Sequence, residues 1–153
     1  MMTLTSTAFK EGQPLPPEYT CSGKDQSPPL AWTGLPTNTI CLALLMDDPD
    51  APVGDWVHWI IYNIPPEEKG LAAGVPAIEK LSDGACQGIN DFHRIGYGGP
   101  CPPKGKPHRY FFKLYALDTE LHFAAGATKQ TLLQAMQGHI VAETHLMGTY
   151  QRI

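Results

Sequence analysis

The sequence predicts a mostly β protein, an antiparallel β-sandwich with small peripheral helices. Three observations carry this. Apolar, β-branched stretches of strand length recur at irregular spacing, whereas only one segment combines a helical period with caps. Glycine and proline, fifteen each, fall between apolar runs and form no low-complexity block. Strands do not alternate regularly with helices, which disfavours a doubly wound parallel sheet.

The elements follow in chain order. Leu30-Ala31-Trp32 is a short strand between Pro28-Pro29 and Gly34. Thr39 to Met46 is an unbroken apolar run, the pattern of a strand covered on both faces. Trp56 to Ile64, WVHWIIYNI, concentrates aromatic and β-branched residues, and Pro65-Pro66 stops it. Glu67-Glu68-Lys69 reads as a short solvated turn. Arg109 to Leu117, RYFFKLYAL, has the same strand character and ends at Asp118. The helix covers Lys129 to Gln137: Thr128 is its N-cap, Leu132, Leu133 and Met136 share a face, and Gly138 stops it. Ile140 to Tyr150 supplies the last strand, with Gly148 as a bulge. Trp32, Trp56 and Trp59 read as core.

At 153 residues the chain makes one domain spanning 1–153, large enough to bury roughly 68–70% of its unfolded surface. Charged residues are 17%, against about 25% for an average globular chain. The formal net charge of −4 and the lack of a basic stripe exclude nucleic acid as the main partner. The first seven residues, MMTLTST, have neither the basic start nor the apolar run of a signal peptide. No apolar run approaches the roughly 20 residues of a membrane span. A cytoplasmic location is therefore expected. Cys21, Cys41, Cys86 and Cys101 contain no CxxC pair, which argues against structural zinc. In a cytoplasmic chain all four are expected as free thiols.

The densest chemistry lies in DDPDAPVGDWVHW, residues 47–59, which puts four carboxylates, two prolines and a histidine into thirteen residues. Asp-Pro-Asp-Ala-Pro is turn chemistry by itself: residues before proline leave the helical region, and aspartates cap nearby N–H groups. The histidines suggest more. His58 sits inside one strand and His108 at the start of another, after the loop Gly96-Tyr97-Gly98-Gly99-Pro100-Cys101-Pro102-Pro103-Lys104-Gly105. The glycines of that loop can bring backbone N–H groups close to a bound atom.

DPDAP at 48–52, WVHWIIYNIP at 56–65 and GGPCPPKGKPHRY at 98–110 resemble the phosphatidylethanolamine-binding protein family, more closely its bacterial Raf kinase inhibitor-like branch. The opening CSGKDQSPPLAWTGLP and the closing GHIVAETHLMGTY extend the resemblance over nearly the whole chain. The resemblance implies two packed antiparallel sheets with a small anion pocket at one end, binding phosphate or a phosphorylated head group. It implies Asp48, His58, His108 and Tyr110 as pocket residues, with Ala51, Cys101, Pro102 and Pro103 at the rim. Asp50, Trp56, Gly99 and Arg109 would support the wall, Arg109 by pairing with a carboxylate such as Asp50. Regulation of a kinase or protease, a homodimer, and no cofactor or metal are further implications. The chain ends at Ile153, without the C-terminal helix of eukaryotic members, so a more open site is expected.

Asp48 in an anion site needs a reason. It can hold a neighbouring histidine protonated, or fix the tautomer of a neutral one. Either way, phosphate-type ligands should bind better as pH falls through the histidine range. Two rival chemistries use the same residues. An Asp48–His58 dyad with His108 as second acid would suit a phosphoester or peptide hydrolase, but G-x-S-x-G is absent and no Ser or Cys has a nucleophile's setting. Two histidines with one or two aspartates suit zinc or manganese, but HxxH and HExxH spacings are absent. His139 and His145 read as surface or interface groups and His122 as exposed; spacing cannot place His93-Arg94, after Asn90-Asp91-Phe92.

Overall fold

The longest apolar run becomes the centre of the molecule. In the computed structural model, which describes residues 1–153, strand β3 (Cys41–Asp48) is buried at every residue. β4 (Trp56–Ile64) and β7 (His108–Leu117) pair with it on either side. β6 (Cys86–Gln87) and β8 (Ile140–Tyr150) complete a five-stranded sheet in the order β6-β4-β3-β7-β8. A three-stranded sheet, β1 (Thr3–Thr5), β2 (Leu30–Thr33) and β5 (Gly70–Leu71), covers one face. Every strand pair is antiparallel.

Coverage of both faces explains the run without polar alternation. Leu42, Leu44, Met46, Trp59, Ile61, Phe112 and Leu114 pack with Leu4, Leu30, Trp32 and Leu71 of the small sheet. Ala43, Leu45, Ile60 and Tyr62 pack on the opposite face with Leu121 and with Leu132 and Met136 of helix α1 (Lys129–Met136). The Thr128 hydroxyl accepts from the Thr131 N–H at 3.3 Å, and Gly138 follows in the left-handed region at φ 83°. Leu133 departs from the expected shared face and is 40% exposed, because only two helical positions per turn can face the sheet.

Other expectations need correction. β1, β5 and β6 carry no sequence signature: two or three residues cannot carry a period. β3 runs on to Asp48, so Asp47 and Asp48 belong to the sheet and not to the turn. Gly148 makes no bulge, since the β7–β8 register is unbroken from His108↔Tyr150 to Ala116↔Ala142. It is there for close approach: a Cβ would lie 2.9 Å from Phe9 Cε2 and 3.0 Å from Leu15 Cδ1. Gly148→Ala is expected to lower stability by about 1–3 kcal/mol through overpacking, read as a shifted urea midpoint with an unchanged slope.

Candidate functional site

A single extra residue aims the first histidine. Met46 pairs with Trp59, but the next residue, Asp47, pairs with Val57, leaving His58 opposite no partner. Strict alternation would put His58 and Trp59 on opposite faces. The bulge lets both serve the face that carries Tyr110, a recurrent device beside binding sites. The His58 ring stands edge-on to Tyr110, with centroids 5.2 Å apart.

At this end of the large sheet β3 finishes while β4 and β7 begin, so Asp48, His58, His108 and Tyr110 converge. They line a cavity of about 210 Å³ together with Ala51, Pro52, Val53, Trp56, Phe92, Cys101, Pro102 and Pro103. Gly99 and Asp50 lie behind the wall. The Gly99 N–H donates to Asp25 Oδ1 at 2.8 Å, and a Cβ there would come within 2.6 Å of the Tyr19 carbonyl oxygen. Asp50 holds the 48–56 turn onto β7: Arg109 donates to it from Nε and Nη2, each at 2.9 Å, and from its backbone N–H at 3.0 Å. Those hydrogen bonds from Arg109 keep the Asp50 carboxyl below its usual range.

Asp48 engages His108, not His58. Its Oδ2 lies 2.7 Å from His108 Nδ1, and its Oδ1 accepts from the Asp50 N–H at 2.8 Å. His58 Nδ1 lies 2.5 Å from the Gly98 carbonyl oxygen. A carbonyl only accepts, so this nitrogen carries the proton. Burial pushes the His58 pKa down, against the opposing pull of Gly98 and of Asp48, Asp25 and Asp91. Tyr110 is fully buried and its hydroxyl has no hydrogen-bond partner. Burial, with Asp48 and Asp50 adding, pushes its pKa far above the usual phenol value. It therefore stays a donor in search of an acceptor.

The lip overturns one expectation. Cys21 and Cys101 form a disulfide across 80 residues of sequence, with Cα atoms 5.3 Å apart. Only Cys41 and Cys86 are free. Proximity of loops so distant in sequence cannot be read from spacing. The bridge pins the lip alongside Cys21 N–H, which donates to the Pro100 carbonyl at 3.0 Å, and Arg152 Nη1, which donates to that of Pro102 at 3.1 Å. Burial and then Glu120 raise the Cys41 thiol to about 11, which makes it inert.

Phe92 and Val53 join the cavity without a sequence signal of their own, and Pro52 joins it from the DPDAP motif. Phe92 packs edge-on against both His58 and Trp56, at 5.4 and 5.5 Å, with Arg94 over its outer face. The adjacent signal is Asn90-Asp91: Asn90 closes the loop through the Gly96 carbonyl and the N–H groups of Phe92 and Arg94, and Asp91 caps the Val57 N–H at 2.7 Å. His93 points outward at φ 61°.

Asp47, one residue before Asp48, faces the other side of the sheet. It pairs with Lys113 at 3.0 Å, and Lys129 bridges to Asp55. Burial and the hydrogen bond shared with Asp55 raise Asp47 to about 6. Asp55, which burial alone would raise, is held low by Asp47 and Lys129.

These shifts give opposite pH dependences. Below about pH 6.5 the unfolded His58 takes up a proton that the folded ring resists, so its contribution to stability is lost as pH falls. Asp47 binds its proton more tightly when folded, so its contribution appears as pH falls below about 6. Urea unfolding from about pH 7.5 to 5.5 should show a larger loss in the wild type than in His58→Gln, the difference isolating His58.

Two packed antiparallel sheets, with Asp48, His58, His108 and Tyr110 gathered where β3, β4 and β7 meet, define the fold class of the protein. The chain belongs to the phosphatidylethanolamine-binding protein family, whose pattern it matches over residues 5–151. It is 51% identical to a UPF0098 protein of Methanothermobacter thermautotrophicus over 99% of both chains, and 46% identical to one of Aquifex aeolicus over 99% of this chain and 90% of that one. A phosphatidylethanolamine-binding protein homologue from Chlamydia trachomatis superposes with a TM-score of 0.91 at 44% identity, over 99% and 98% of the two chains. YbcL of E. coli, described as a member of the mammalian family, gives 0.91 at 34% over 99% of each. No helix is long and apolar enough to cross a membrane.

Proposed function

We propose that the protein binds a small oxyanion, phosphate or a phosphorylated head group, in the cavity lined by Asp48, His58, His108 and Tyr110, and that it does so without turnover. One observation carries this: the Tyr110 hydroxyl is buried, protonated and unpartnered at the cavity wall. An unmade hydrogen bond at that depth costs about 1–3 kcal/mol, which a ligand oxygen would recover. His108 turns Nδ1 to Asp48 Oδ2 at 2.7 Å, which leaves Nε2 on the cavity side of the ring. A cavity of 210 Å³ suits a head group and not a drug-sized molecule. Regulation of a kinase or protease and a homodimer are the further roles the family resemblance supports. Pull-down from native cells and sedimentation test these two.

Calorimetric titration with O-phosphoethanolamine is the direct test. Saturable binding is expected, and its absence would overturn the reading. Release of inorganic phosphate during the titration would replace binding by the hydrolase reading.

A further inference from the structure

The proton inventory of the cavity is lopsided. Tyr110 supplies one fixed donor. His58 commits its only proton near neutral pH to the Gly98 carbonyl, so Nε2 presents a lone pair. That nitrogen has no protein partner and is not sealed away, and its ring lines the cavity. Asp48 adds carboxylate oxygens beside it. The charged and titratable groups facing His58 are Asp48 from β3, Tyr110 from β7, and Asp25 and Asp91 from the loops, and His108 of β7 lines the same cavity. Neither lysine nor arginine lines the hollow. Asp48 is engaged by His108 Nδ1 at Oδ2 and by the Asp50 N–H at Oδ1, but a fully ionised oxyanion would still set an oxygen lone pair against the lone pair of His58.

We propose that the cavity selects oxyanions carrying a proton of their own: the monoanion of a phosphomonoester or phosphonate, whose P–O–H donates to His58 Nε2 while another oxygen accepts from the Tyr110 hydroxyl. This rests on the oxyanion reading above and narrows it. A phosphodiester and sulfate have no such proton at neutral pH. Each would leave the buried His58 acceptor unpaired, and a site built around a buried polar group rejects analogues lacking its partner strongly.

Calorimetry on the full chain with methyl phosphate, methylphosphonate, dimethyl phosphate and sulfate tests this. At about pH 6.5, methyl phosphate should bind at least roughly tenfold tighter than dimethyl phosphate or sulfate. Its affinity should fall roughly tenfold per pH unit above its own second ionisation, near pH 6. With methylphosphonate, whose second ionisation lies higher, the fall should begin at correspondingly higher pH, so that the midpoint follows the ligand. His58→Gln, whose amide can donate as well as accept, should raise sulfate affinity relative to methyl phosphate, with thermal melts checking the fold. Sulfate and dimethyl phosphate binding within roughly threefold of methyl phosphate, or a midpoint that ignores the ligand, would overturn proton selection while leaving the oxyanion site standing. If none of the four binds, the oxyanion reading itself falls. The wild-type ligand series decides the matter even if His58→Gln does not fold.

Discussion

Tyr110→Phe is expected to weaken O-phosphoethanolamine binding roughly 10- to 100-fold while leaving the fold as stable as before, or slightly more so. The two halves of this result come from one atom. In the free protein the hydroxyl is buried without a partner, so its removal deletes an unsatisfied polar group and keeps the ring. The ring's contacts, edge-on to His58 and stacked on His108 with centroids 6.5 Å apart, survive in phenylalanine. In the complex the same hydroxyl donates to an anionic oxygen, and a hydrogen bond to a charged group contributes about 1.5–3 kcal/mol. Calorimetry reads the affinity and thermal melting the stability. Unchanged affinity would show that no ligand oxygen reaches Tyr110. A large drop in Tm would show that the hydroxyl has a structural partner.

Breaking the Cys21–Cys101 bridge is expected to lower stability more than Gly148→Ala does. It closes a loop across 80 residues of sequence, and in the chain-entropy account a constraint of that span contributes about 4–5 kcal/mol. For a chain of this size that is a drop in Tm of about 10–15 °C. The site should respond as well, because Cys101 and Pro102 form its lip and would then be held by hydrogen bonds alone, from Arg152 to Pro102, from Cys21 to Pro100 and from Gly99 to Asp25. Melts of the oxidised protein, the reduced protein and the Cys21→Ser/Cys101→Ser pair, followed by phosphate titration of each, read both effects. A Tm within about 2 °C of the oxidised form would mean that the closed loop was already ordered without the bond. The bridge also bears on location. Cytoplasmic redox conditions keep most thiols reduced, so mass spectrometry of the protein taken from its native cell shows whether it lives where this bond persists.

Some of this architecture is legible in the chain because its physical cause is local. β3 is recognisable because a strand covered on both faces needs an apolar residue at every position, and Cys41–Met46 provides one. α1 is recognisable because Thr128, Leu132, Met136 and Gly138 place cap, face and stop within eleven residues. The segments that build the cavity are visible too, as prolines, aspartates and histidines concentrated at strand ends. β1, β5 and β6 are invisible at that level: they are strands only because a neighbouring backbone offers hydrogen bonds, not because their side chains alternate.

Composition and patterning alone thus determined a β-rich domain, its central strands and the segments that carry polar chemistry, since burial and backbone stiffness act within a few residues. The tertiary structure decided which way each group faces and what it can do. A bulge turned His58 toward Tyr110, the Gly98 carbonyl chose which ring nitrogen holds the proton, Asp48 went to His108, and two distant cysteines met. Each of these depends on atoms brought together from far along the chain, and proton positions, hydrogen-bond partners and covalent links are set by distance in space.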